Sequence, residues 1–556
     1  MKWKLLASVI VTVVFSVFLM NQTALANVFA SQIKITNPDD SPFDGDFSDG
    51  SVAKISYYLN DGASVVTVTI IDVATGNTVA TIDGGASANG LNSVEWDGTG
   101  ATANSQYVVQ VYTEQANYST TDWTMFFDSG PISIYTRGVA VNRNQSDSNF
   151  GMIFTSNDGG PIGTGIAIYN PDGSNADPYL VAADQANGGT VNYGTDAPLF
   201  AELDWQGRVW VTLKDLGQVM RINRDYSTQV VIDGLSFPTG FYLTGEGEDF
   251  TIYVSANNQI LRGNIGTADT FDPASLEVVA EFSTTFPRQI MLDDDGAMYV
   301  TLRQSIDLGS DGNGIRKYDI SGTLPVTDND ASWFLSAEKT FIANDLLLDS
   351  GDDPNSSADD ILYYCTRAGS GFDQDGIWRV DDINGFFPDT IRIATENMFY
   401  GGDENVNARS TIDFDAAGNI VFMENSNEHS FFISPPGDGA NNSFTTTAPD
   451  TFTVTGVITG IEHNNGVIPM ATALQDNYPN PFNPSTVIPF DLQENTFVTL
   501  NVYDMLGRKV ATLVNGQLGA GSYKVDFDAA NLPSGYYIYD LKAGNFSASK
   551  KMLLTK

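Results

Sequence analysis

Short runs in which apolar and polar residues alternate fill this chain, and almost no stretch repeats its apolar positions at helical spacing. The runs are rich in Val, Ile, Thr, Tyr and Phe and are separated by Gly, Asn and Asp, which is the pattern of strands and turns. The chain is therefore expected to be all-β. Its two ends repeat one another. AKISYYL (53–59), VTVTIID (66–72), GNTVATI (76–82), NSVEWDG (92–98) and YVVQVYT (107–113) stand near the N-terminus. TVIPFDL (486–492), VTLNVYD (498–504), GRKVATL (507–513), YKVDFDA (523–529) and YYIYDLKAG (536–544) follow the same order near the C-terminus. Each set predicts a small Ig-like β-sandwich.

The middle carries a second repeat of strand, tight turn and strand. Its clear copies are 201–213, 290–302 and 412–424, and its looser ones are 139–156, 241–256 and 346–366. Asp at the first turn position and Gly at the fourth suit a type I turn, so Asp204, Asp293 and Asp415 are expected to be structural. Third strands follow, such as 218–224, 314–320 and 376–382. Six copies of about four strands each predict a six-bladed β-propeller. The expected segments are a leader (1–26), a sandwich (27–133), the propeller (134–459), a linker (460–472) and a second sandwich (473–556).

Composition narrows the function. With 68 acidic against 27 basic residues the net charge is −41, which repels nucleic acid and anionic lipid. Lys2 and Lys4 precede an apolar run from Leu5 to Met20, and Ala24-Leu25-Ala26 is the small–x–small pattern that signal peptidase reads. Cleavage after Ala26 is expected, leaving Asn27 first. The single cysteine, Cys365, lies in an apolar run and reads as an inert buried thiol. His429 and His463 are the only histidines, which argues against a histidine triad or a multi-histidine zinc site.

The C-terminal sandwich carries further motifs. Asn477-Tyr478-Pro479-Asn480-Pro481-Phe482-Asn483-Pro484 leads into it, and Val502-Tyr503-Asp504, Leu506-Gly507-Arg508, Leu532-Pro533-Ser534-Gly535 and Lys550-Lys551-Met552 follow. In order and spacing they resemble the type A sorting domain of the type IX secretion system. The resemblance implies the secretion machinery as partner, passage across the outer membrane, and removal of the domain on release or surface attachment. Pro479, Asn480, Pro481, Gly507, Arg508, Gly535 and Lys551 would carry the signal. Both sandwiches resemble the Ig-like module of flagellar hook-capping proteins. Phe237-Pro238-Thr239-Gly240 and Phe286-Pro287-Arg288-Gln289 give the middle a broad resemblance to propellers of the gluconolactonase, strictosidine-synthase-like and NHL-repeat group.

In metal-dependent lactonases of that group, the starts of the innermost strands hold calcium with Asn and Asp. Counting back five residues from each turn position gives Arg137, Leu199, Thr239, Arg288, Asn344 and Ser410. Only Asn344 fits as a ligand, and two arginines oppose a divalent ion. The first residues past the second strands are Asn157, Lys214, Asn257, Arg303, Arg367 and Asn425. Arg137, Lys214, Arg288, Arg303 and Arg367 are thus expected at one channel mouth, suited to a carboxylate, sulfate or sugar. Pairing with loop aspartates is the other account of them. Two acidic loops are candidate calcium sites: Asp307, Asp311 and Asn313 in one, and Asp349, Asp352, Asp353, Asn355, Asp359 and Asp360 in the other. Neither has the EF-hand spacing, and solvated acidic turns are the better account of them. Two functions remain open. One is an exported protein whose propeller binds a glycan or protein; the other is a propeller enzyme acting on a lactone, ester or anionic polysaccharide, with Tyr, Lys or Arg as base.

Overall fold

The computed structural model describes residues 27–556 apart from 49, 117–118, 120–121, 130–135, 158–164, 178–197, 284, 304–313, 337–342, 351–356, 358–359, 367–375, 382, 384–389, 395–410, 424–430, 436–441, 457–460, 465–468, 470, 495 and 519. The described residues form strands almost throughout. They fall into two compact units. One holds Leu59–Ala63 and Glu114–Phe444 with the residues up to Ser31, and the other holds Gln32–Tyr58, Ser64–Thr113 and Thr445–Lys556.

The first unit is a six-bladed propeller. Its innermost strands are Thr136–Val141, Pro198–Leu203, Pro238–Thr244, Phe286–Leu292, Ala343–Asp349 and Thr411–Phe414, one in each of blades 1 to 6. Each lies against the next, and the sixth lies against the first. Alternation along the strands gives every blade two apolar faces, so a separate apolar cluster fills each interface. Ala140, Phe154, Val209 and Val211 join blades 1 and 2, for example, while Leu347, Cys365, Ile412 and Ile420 join blades 5 and 6. Cys365 is fully buried, and burial raises its thiol well above the ordinary value, as suits an inert packing residue.

The turn aspartates cap the hairpins. Asp204 Oδ1 accepts from Gln206 N and Arg208 N at 2.9 and 3.1 Å, and Asp415 Oδ1 accepts from Ala417 N and Asn419 N at 2.8 and 2.9 Å. Such side-chain acceptors hold the turn and orient the two strands it joins.

Three segment boundaries differ from the sequence expectation. Thr124–Asp128, expected in the first sandwich, is the outermost strand of blade 6, paired with Phe431–Ser434. It closes the ring. Ser443–Val454, expected in the propeller, instead joins the sheet of Ser105–Glu114, Ala63–Asp72 and Thr78–Ser87. Ile461–Asn464, expected in the linker, pairs with Gly521–Asp528 of the C-terminal sandwich. Each strand covers an edge whose backbone groups would otherwise face solvent unpaired. The propeller is consequently inserted in the N-terminal sandwich, between the fourth strand of that sheet in chain order of assembly and the strands that precede it.

The two sandwiches share a topology. In the sheet order Ser443–Val454, Ser105–Glu114, Ala63–Asp72, Thr78–Ser87, the returning strand holds the place of Phe546–Leu554 in the order Phe546–Leu554, Gly535–Ala543, Thr496–Asp504, Lys509–Leu518. An aromatic cluster of Phe47, Trp96, Tyr107 and Phe452 packs the N-terminal core, with Phe452 supplied by the returning strand. The C-terminal core centres on Phe490, Tyr523, Leu500 and Tyr539.

Phe127 sits opposite Phe432 in the closing ladder, and their rings lie 4.5 Å apart. Phe127→Pro removes a ladder donor and this ring contact. The expected outcome is a propeller transition lower by about 5 °C or more in calorimetry, with the C-terminal sandwich transition unchanged.

Candidate functional site

Five of the six innermost strands carry a register shift near their start, between Thr136 and Gly138, Leu199 and Glu202, Pro238 and Phe241, Pro287 and Ile290, and Ala343 and Asp345. A bulge inserts a residue and re-aims its neighbours. Arg137, Thr239, Arg288 and Asn344 all fall in these bulges. The strands run side by side at matched levels. Thr239 Oγ1 donates to Pro287 O at 2.9 Å, and a Cβ on Gly240 would collide with Arg288 O, so only glycine admits blade 4 this closely.

Thr239 also bonds Ser255 Oγ at 2.6 Å and is buried, as is Asn344. Arg137 and Arg288 are half-buried. Past the second strands, Lys214 lies 3.4 Å from Asp215 and 4.8 Å over the Phe237 ring, and burial lowers the Arg303 guanidinium from its usual value. Asn157 is buried, accepting from Thr136 Oγ1 at 3.2 Å, and Asn257 is exposed with φ 55°. Arg367 and Asn425 lie outside the described residues, as do Asp307, Asp311, Asn313, Asp352, Asp353, Asn355 and Asp359. Asp349 ends the blade 5 inner strand opposite Ile361, and Asp360 is buried. Among the described residues no group of three His, Cys, Asp or Glu side chains could hold a metal ion.

Further polar side chains link the inner strands of different blades. Gln289 Nε2 of blade 4 donates to Glu202 Oε1 of blade 2 at 3.3 Å, so these two side chains span the channel past blade 3. Asp345 of blade 5 accepts from Thr411 Oγ1 and Ile412 N of blade 6 at 2.6 and 3.2 Å. Asp413 of blade 6 accepts from Val141 N of blade 1 at 2.7 Å, with Arg143 Nη2 4.0 Å away. Burial dominates the electrostatics here. It pushes Glu202 well above the carboxylate range, helped by Asp413 and Asp345, and raises Asp345 to about 7 and Tyr242 to about 12. Asp413 is raised as well, against the pull of Arg143. Burial thus favours the neutral form of these carboxyl groups, in which they can donate hydrogen bonds.

Counting back five residues missed this lining. Glu202, Tyr242 and Asp413 stand two before their turn positions, and Gln289 and Asp345 stand four before. Even offsets share a face of a strand.

In the C-terminal sandwich, Asn480 Nδ2 donates to Lys551 O at 3.3 Å and Asn480 Oδ1 accepts from Leu553 N at 3.0 Å. The loop of Pro479, Asn480 and Pro481 is thus clipped to the last strand. Gly507, at φ 77°, lets the hairpin turn that Asp504 caps, where Arg508 Nε donates to Asp504 Oδ2 at 2.7 Å. Gly535 opens the strand Gly535–Ala543, and Lys551 Nζ lies 4.6 Å over the Tyr536 ring. Residues 476–555 match the secretion system C-terminal sorting domain. The chain is thereby a cargo of the type IX secretion machinery, exported to the cell surface or the extracellular space. Residues 44–117 match the FlgD Ig-like domain. No curated protein matches the chain.

Among solved structures, a gluconolactonase of Xanthomonas campestris is similar at 12% identity and a TM-score of 0.38, covering 57% of this chain and 92% of its own. A virginiamycin B lyase of Staphylococcus aureus is similar at 16% identity and a TM-score of 0.33, covering 56% and 100%. A structural genomics protein of Bacteroides thetaiotaomicron is similar at 11% identity and a TM-score of 0.36, covering 69% and 94%.

Because folded Asp345 keeps its proton to about 7, whereas an unfolded aspartate releases it near 4, its contribution to stability is present at low pH and lost as pH rises through 7. Asp345→Asn mimics the protonated form. Between pH 4 and pH 8 the variant should gain about 4 kcal/mol on the parent in denaturant unfolding of the propeller. A constant difference would show that Asp345 titrates alike in the folded and unfolded protein.

Proposed function

We propose that this chain is an exported binding protein, carried to the periplasm by a cleaved leader and onward by its sorting domain, whose propeller takes a saccharide at the channel end where the innermost strands begin. The observation that supports this reading most is the spanning contact of Gln289 with Glu202, flanked by Asp345 and Asp413. It makes the channel wall a set of amide and carboxyl groups matched to hydroxyls. Arg288, next to Gln289, and Arg137, in the corresponding bulge of blade 1, would meet a carboxylate or sulfate on the same ligand. An anionic saccharide satisfies both sets. The N-terminal sandwich acts as a mount.

Isothermal titration of the purified protein against uronate-containing and neutral glycans tests this. Arg288→Glu is expected to abolish binding of the anionic glycan while leaving the melting temperature unchanged. A basic residue on an outer strand, such as Arg262, should tolerate the same reversal. Equal binding by both variants would reduce the basic residues to internal charge balance.

A second reading is favoured by one observation, the titration of Asp345 near 7 beside Glu202. A carboxyl group tuned in this way can act as a general acid in a propeller hydrolase or lyase. Turnover of a lactone or anionic polysaccharide that vanishes in Asp345→Asn would establish it.

Deletion of residues 473–556 is expected to strand the protein in the periplasm. Fractionation that finds the truncated chain in the medium at normal levels would separate export from this domain.

A further inference from the structure

The aspartate that opens the hairpin turn recurs in blades 2, 4 and 6, and in two of them its outer oxygen meets a cation. Asp204 Oδ2 accepts from Arg208 Nε at 2.6 Å, and Lys317 Nζ lies 2.8 Å from Asp293 Oδ2. Blade 6 differs. Asp415 Oδ2 is met by two neutral amides, Asn419 Nδ2 at 2.6 Å and Asn60 Nδ2 at 3.3 Å. Burial pushes this carboxyl up to about 7, and every group that draws it back is a neutral hydrogen-bond donor.

The same two amides hold the main chain of Asn27. Asn60 Nδ2 and Asn419 Nδ2 donate to Asn27 O at 2.8 and 3.0 Å, so one bridging amide separates Asn27 from the Asp415 carboxylate. Asn27 is 2% exposed, and Val28, Phe29 and Ala30 are fully buried. Phe29 N donates to Asn60 Oδ1 at 2.8 Å, and its ring lies 5.5 Å from Phe150 in a cluster with Ala417 of the blade 6 turn. Asn27 Nδ2 donates to Gln115 Oε1, and Gln115 Nε2 reaches Asp61 Oδ2 at 3.4 Å. Burial raises Asp61 too.

Two further atoms point the same way. Asn27 Oδ1 and Asn419 Oδ1 are buried acceptors that meet no donor. Leaving a buried acceptor so is destabilising. The pocket thus combines acceptors without donors and a carboxylate without a cation. A group with several N–H donors and one positive charge answers both needs. The residue at its centre is the one that the Ala24-Leu25-Ala26 pattern places first after leader cleavage.

We propose that the α-ammonium group freed at Asn27 by leader removal is the missing counter-charge of Asp415, so that processing completes the sixth blade. The proposal rests on cleavage after Ala26, and the test separates the two. N-terminal sequencing of the exported protein should read Asn27-Val28-Phe29, and any other start overturns the proposal at that step. Four full-length mature chains then decide the pairing: one beginning at Asn27, one with Ala-Ala added before it, and Asp415→Asn in each background. The added residues move the charge away without altering a buried side chain. The Asn27 chain is expected to melt about 5 °C above the extended one. Asp415→Asn should lower the melting temperature of the Asn27 chain but leave the extended chain equal or more stable, because there it removes a buried, unpaired acid. Equal melting of the two starts, or equal effects of Asp415→Asn in both, overturns the pairing. A loss of stability on adding chelator, the same for both starts, would assign the counter-charge to a metal ion and overturn it as well.

Discussion

The antiparallel ladder between Thr124–Asp128 and Phe431–Ser434 is the constraint on which the propeller depends. Six blades can bury both of their faces only if the last meets the first, and a ring of separate sheets has no covalent reason to stay shut. Here the last blade borrows its outer strand from the chain that enters the first. Opening the ladder would also free the apolar cluster of Val139, Val141, Ile153, Val421 and Phe432 between blades 6 and 1. The channel lining is assembled by the same closure, because Val141 N and Arg143 of blade 1 face Asp413 of blade 6.

A chain with a net charge of −41 places several of its acids in the interior. They are handled in different ways. Asp204 and Asp293 take a guanidinium and an ammonium from their own blades, Glu202 and Asp345 meet an amide, a hydroxyl and backbone donors, and Asp413 combines a backbone donor with Arg143 at 4.0 Å. Burial of a carboxyl with no close cation favours its protonated form, since charge in a poorly solvated site is costly. The acidity of the surface and that of the channel are therefore unlike: one is charge, the other is hydrogen-bonding capacity.

Local chemistry made much of the fold legible. The Asp-x-x-Gly turns at Asp204, Asp293 and Asp415 mark inner hairpins because the turn needs those residues wherever it occurs. Pairing between distant strands was not legible. Thr124–Asp128 and Ser443–Val454 alternate like any other strand, and alternation says which face is buried without naming the neighbour. Part of the channel lining was not legible for a reason of register. A count of five from the turn lands on Arg137 and Arg288, in the bulges, whereas Glu202 and Asp345 stand at even offsets and reach the channel. Nothing in the sequence announces a bulge, so parity carried across one fails.

The insertion of the propeller in the N-terminal sandwich has a consequence for the order of events during synthesis. Asn104 N bonds Val454 O, and Gln110 reaches Thr447 across 337 positions of chain. Contacts of such separation close late, because the intervening loop must first be made compact. The first domain to emerge from a translocation pore thus cannot finish before the propeller that interrupts it has emerged. It waits with an open edge until residue 454 arrives, and a folded propeller shortens that wait by bringing the two ends of the insertion together.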